Sequence, residues 1–106
     1  MSDRLISEPI RPVPGAASDR DTPAGEPVLP GRFVWRKAEH TVAEVLETWK
    51  EYSPGSPAMP DRYLRKHWYR IRTSDGVEMV LYFERKARSQ AQAKQRWWLF
   101  TVREQD

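Results

Sequence analysis

The 106-residue sequence contains no cysteine. That absence excludes a disulfide scaffold, thiol catalysis and a cysteine-ligated zinc site. There are 2 histidines, His40 and His67, far apart in the chain and outside any His-Glu-x-x-His pattern, so no metal site is expected. The 5 glycines are scattered and build no phosphate-cradling loop. No two acids stand at a spacing that reaction chemistry would need. We therefore expect a non-enzymatic protein with no cofactor and no small-molecule substrate. No apolar run reaches the roughly 18 residues of a membrane span, and the N-terminus lacks the basic-then-apolar pattern of a secretory signal. The expected setting is the cytoplasm, away from membranes.

What the chain does contain is unevenly placed. Six of its 9 prolines (Pro9, Pro12, Pro14, Pro23, Pro27 and Pro30) precede residue 32, and all 5 tryptophans follow it. Residues 1–31 read as a flexible, Pro-rich leader, disordered at its N-terminus. One short edge strand is conceivable at 8–13, where prolines restrict pairing. Residues 32–106 read as a single small domain. About 75 residues can fold alone around a small core, but they cannot build a (β/α)₈ barrel or a two-half dinucleotide fold. The net charge of +3 divides into −2 on the leader and +5 on the domain, a weak pointer to a polyanion.

Alternation of apolar and polar residues marks strands at 32–36, 68–73, 77–84 and 97–103. Ser74-Asp75-Gly76 is a three-residue hairpin connection in which glycine can take the left-handed position. The turn at 37–39 lacks the glycine or asparagine that tight hairpins prefer. Residues 41–52 are ambiguous. Val42, Val45, Leu46 and Trp49 fall at i, i+3, i+4 and i+7, the stripe of an amphipathic helix, and Thr41 with Glu44 would make a capping box. As a strand the same segment would be interrupted by Glu47.

The ordered set Phe33-Val34-Trp35-Arg36, Val42 to Trp49, Trp68-Tyr69-Arg70-Ile71, Asp75-Gly76, Leu81-Tyr82 and Trp97-Trp98-Leu99 resembles a small bacterial domain of unknown function that occurs alone. It is also similar to the C-terminal tail of the ImuB-like Y-family error-prone DNA polymerases. The resemblance covers 32–103 and implies a strand over 41–51 and a setting in mutagenic DNA repair. It implies no activity. The fold expected is mainly β: a small twisted antiparallel sheet or partly open barrel of 4–5 strands, or α+β if 41–51 is a helix.

Two surfaces invite a function. Arg65, Lys66, Arg70 and Arg72 are interleaved with Tyr63, Trp68 and Tyr69, and Arg85, Lys86, Arg88, Lys94 and Arg96 line a polar connection. Cations beside aromatic rings suit phosphate contacts with base stacking. The competing reading places Trp68 in the core and pairs Arg70 and Arg72 with Glu78 and Glu84 across the hairpin. Trp35, Trp49 and Trp98 are expected in the core and Trp97 partly exposed. Two functions follow: a nucleic-acid-binding accessory module (DNA or RNA) in bacterial repair, or a protein-interaction module docking through an aromatic patch around Trp68 and Trp97.

Overall fold

In the computed structural model, residues 2–16, 26–52, 64–85 and 96–104 are described. They form seven strands and no helix: β1 (Ser2–Pro9), β2 (Arg11–Pro12), β3 (Arg32–Trp35), β4 (Ala38–Tyr52), β5 (Leu64–Thr73), β6 (Glu78–Glu84) and β7 (Trp97–Glu104). All pair antiparallel in one sheet, ordered β1-β7-β6-β5-β4-β3-β2. The mainly β class and antiparallel pairing match expectation. The strand number does not, because the first 12 residues add two strands.

Those two strands correct the expected leader. β1 and β2 are separated by Ile10 alone, yet they lie at opposite ends of the strand order. The sheet therefore curls into a half-barrel whose two edges are joined by one N-terminal segment. The Ile10 amide donates to the Trp97 carbonyl at 3.1 Å on one side, and Val13 donates to Arg32 at 2.9 Å on the other. Pro12 is tolerated because β2 pairs on one side only. Leu29, in the same supposed leader, is 0% exposed and sits in the core with Ile10. Residues 17–25 lie outside the described residues.

β4 decides the helix question in favour of a strand. Its first residues pair with β3 and the rest with β5, so the strand bends from one neighbour to the next. Register shifts fall between Val42 and Glu44 and between Val45 and Glu47. Each inserts one extra residue, Ala43 and then Leu46, as a β-bulge. Val42 and Val45 consequently both pack on the core at a spacing of three. Bulged strand and helix thus share the i, i+3 pattern.

The inner face of the half-barrel holds the main core: Phe33, Tyr69, Ile71, Leu81, Trp97 and Leu99 with Ile10, Leu29 and Met79. The β5–β6 hairpin turns at Gly76 with φ +84°, and the Gly76 amide donates to the Thr73 carbonyl at 2.9 Å. The β3–β4 hairpin is less ordinary. Arg36 and Lys37 form a two-residue turn with φ of 51° and 66°, a backbone state that side chains disfavour.

Candidate interaction surface

The strand register sets four side chains side by side on the outer face: Trp49 opposite Trp68, Trp68 opposite Tyr82, and Tyr82 opposite Trp98. Cross-strand aromatic neighbours of this kind pack well on a pleated surface. Trp49 and Trp68 stack with centroids 5.8 Å apart and planes 3° from parallel. Trp68 meets Tyr82 at 4.7 Å and the edge of Phe100 at 5.0 Å, and Tyr82 stacks on Trp98 at 6.3 Å. Trp68, Tyr82 and Trp98 make a second buried cluster with Val80 and Phe100 against it. Trp49 ends the row and is 37% exposed.

Rows of charge flank the rings. Arg72 Nη1 donates to Glu44 Oε2 at 2.7 Å, Arg70 lies 3.8 Å from Glu47, and Arg65 lies 3.9 Å from Glu51. Arg103 stands between Asp3 at 3.3 Å and Glu78 at 3.5 Å. These pairs are partly solvated and each stabilises little, but together they interleave the two signs across β4, β5, β6, β7 and β1. Lys66 Nζ lies over the Tyr82 ring at 4.6 Å and the Trp68 ring at 5.7 Å. The Trp68 indole Nε1 donates to Glu51 Oε1 at 3.2 Å.

An open cleft of about 490 Å³ borders this row, walled by Trp49, Trp68, Val80 and Phe100 and rimmed by Asp3, Lys50, Glu51 and Arg70. A second, of about 410 Å³, shares Trp49, Lys50 and Trp68 and reaches Tyr52, Glu26 and His67. Trp49 thus lines both clefts.

The sequence-derived candidates land as follows. Arg70 and Arg72 are ion-paired, with glutamates of β4 rather than with Glu78 and Glu84. Arg96 folds back, its Nε donating to the Glu84 carbonyl at 2.6 Å and its Nη2 to the Arg85 carbonyl, with its guanidinium over Phe83 at 5.2 Å. Arg85 Nη1 lies 3.4 Å from His67 Nε2. Lys86, Arg88 and Lys94 lie outside the described residues. The tryptophans differ from expectation in both directions. Trp97 is 7% exposed, packed inside against Phe83 at 5.1 Å and Tyr69 at 5.6 Å, whereas Trp49, expected in the core, is the exposed one. Trp68 is buried in the outer cluster. The bulge at Leu46 falls between Val45 and Trp49 and turns Trp49 to the face opposite Val45, and Trp97 lies opposite Phe83 on the core side of β7. His67 is buried, and burial is the main cause that lowers its pKa, with Arg85 and Lys50 adding to it and Glu26 opposing.

One site had no local signal in the sequence. Glu8 accepts from Trp35 Nε1 at 2.9 Å and from Arg36 Nε at 3.0 Å and Nη2 at 2.7 Å. The Arg36 guanidinium also stacks on the Trp35 ring at 4.6 Å. Arg36, then Trp35, hold the Glu8 carboxyl down to about 2. This clamp ties β1 to the strained turn after β3. Glu8 is 27 and 28 residues from Trp35 and Arg36 in sequence, so only the fold brings it to them.

Among the described residues no group of three or more His, Asp or Glu could hold a metal ion. The described residues contain no helix long and apolar enough to cross a membrane. A family model described as a domain of unknown function, DUF6504, matches residues 1–104. The chain belongs to that family. The DUF6504 match includes β1 and β2, in keeping with an N-terminal segment that is part of the fold. No curated protein and no solved structure matches the chain.

Proposed function

We propose that this DUF6504 chain is a non-enzymatic, cytoplasmic docking module that receives a protein partner on the outer face of its sheet, over Trp49 and Trp68. The observation that carries this reading is the aromatic row with its cleft, set between rows of charge in which Arg65, Arg70, Arg72 and Arg103 each face a carboxylate. Stacked rings beside balanced charge favour a polypeptide over a polyphosphate, which gains affinity from cations that lack such partners. The similarity to the tail of ImuB-like polymerases makes a bacterial DNA-repair protein the partner we propose.

A photo-reactive residue placed at Tyr52, which is 48% exposed beside the second cleft, should yield a discrete protein adduct in cells that Trp49→Ala abolishes. Titration of the purified chain with single- and double-stranded DNA should show no binding at low salt, where phosphate contacts are strongest. Salt-sensitive DNA binding, with no protein adduct, would replace this reading by the nucleic-acid one, with Arg85 and Arg96 flanking the basic connection.

A further inference from the structure

The molecule contains one site in which the recognition chemistry is complete. At Trp35 the indole N–H donates to a carboxylate, that carboxylate holds a guanidinium by two hydrogen bonds, and the guanidinium lies over the indole at 4.6 Å. A planar cation suits this arrangement, because one group satisfies the π-face and both carboxylate oxygens.

The outer face repeats the first half of it. Trp68 Nε1 donates to Glu51 Oε1 at 3.2 Å, as Trp35 does to Glu8. Among the described residues the second oxygen of Glu51 is approached only by Arg65, at 3.9 Å and from a half-exposed side chain. Among the described residues no guanidinium stacks on Trp49 or Trp68. The cleft of about 490 Å³ lies against both rings and against Glu51 and Asp3. Its two basic rim groups have carboxylates outside the cleft as neighbours, Lys50 with Glu26 at 3.7 Å and Arg70 Nε, which makes no hydrogen bond among the described residues, with Glu47 at 3.8 Å. Lys66, over Tyr82 at 4.6 Å and at the longer distance of 5.7 Å over Trp68, shows that the same row accepts a cation on its rings.

From this repetition we infer that the cleft is the receptor for an arginine side chain presented by the protein partner, stacked on Trp49 and Trp68 and hydrogen-bonded to Glu51. The inference rests on the docking reading above and names its anchor. Charge complementarity selects the occupant: Glu51 lines the cleft with both rings, and its nearest cation among the described residues, Arg65, stands 3.9 Å away.

The test follows the five indole N–H signals of the full chain by NMR during addition of N-acetyl-arginine methylamide. Parallel titrations use the uncharged citrulline analogue, the proline analogue and a short oligothymidylate. The Trp49 and Trp68 signals should shift and saturate in roughly the millimolar range expected of one stacked, hydrogen-bonded side chain. The arginine compound should bind about tenfold tighter than the citrulline compound, as a charge-assisted contact requires. Glu51→Gln, which keeps an acceptor for Trp68 Nε1, should erase that preference, and Trp49→Ala should weaken all binding. The Trp35 signal should stay still. Equal binding of the citrulline or proline compound at the same indoles would overturn the guanidinium assignment and leave the docking reading standing. Shifts with oligothymidylate alone would overturn both. No shift with any probe would overturn the arginine anchor, while the adduct at Tyr52 would still report on docking.

Discussion

Trp97 and Trp98 are neighbours in the chain and point to opposite faces of the sheet. Their exposures are nearly equal, 7% and 5%, but they are buried by different means. Trp97 belongs to the enclosed interior, with Phe83 and Tyr69 beside it and Ile10, Leu29 and Phe33 in the same cluster. Trp98 lies on the outer row, beside Tyr82, in a cluster with Trp68. The first kind of burial is three-dimensional and closes the fold. The second depends on rings lying side by side in one layer, and it shades off to an exposed end at Trp49. A buried tryptophan on this sheet is therefore not by itself a core tryptophan, and the outer row combines order with access.

The comparison can be broken by truncation. Trp97→Ala should cost the most, about 4 kcal/mol, since it leaves a cavity that the interior cannot fill. Urea unfolding would show it as a large fall in midpoint or as loss of a cooperative transition. Trp98→Ala should cost about 2 kcal/mol, because neighbouring rings can close over the gap; an equal loss at both positions would erase the distinction. Trp49→Ala should change stability by less than about 1 kcal/mol, as expected of a residue that is partly exposed already, while removing the proposed docking surface.

Acidity sharpens the same contrast from the polar side. His67 lies buried at one end of the interior, with Arg85, Lys50 and Glu26 around it. Its folded pKa is lowered below 6.5, so the unfolded chain binds the proton more readily. The stability it supports is complete above that value and lost as pH falls through it. Glu8, in the exposed clamp, loses its contribution only further down, between the ordinary carboxylate value of 4.5 and about 2. Urea midpoints measured from pH 8 to pH 3 should fall in two separate stages. His67→Gln should flatten the first stage and Glu8→Gln the second. A gain belongs to the turn that the clamp supports: Lys37→Gly should raise stability by about 1 kcal/mol by removing a left-handed conformation from a residue with a Cβ.

Legibility in the sequence followed the range of the interactions. The β5–β6 hairpin was plain, because its strands alternate and Ser74-Asp75-Gly76 carries its own turn chemistry. β4 was not, because the bulges at Ala43 and Leu46 space Val42 and Val45 like residues of a helix. The same bulges hid Trp49, whose place in that stripe assigned it to the core. β1 offers only Leu5 and Ile6 as adjacent apolar residues among polar ones; its strand character comes from β7, about a hundred residues away. The expected basic patch on β5 was legible as composition, but the glutamates facing it lie on β4 at positions that only the bulged register reveals. Glu51 drew no notice for the same reason, although it proves to be the acceptor for Trp68.

The joining of both sheet edges by one N-terminal segment also orders events in time. Ser2 pairs with Glu104 and Pro9 with Trp98, so of the seven described strands the one made earliest is partnered by the one made latest. During synthesis the β5–β6 hairpin can form as soon as it emerges, but Ile10 has no neighbour on its β7 side until residues 97–104 are out. Contacts this distant in sequence slow folding, because a long loop must close before they are rewarded. The edge of β6 that β7 will cover, with Leu81 and Tyr82 on it, meanwhile stands open. Nascent chains should accordingly be most vulnerable to misassociation just before β7 appears, and the closing step should limit the rate at which the half-barrel matures.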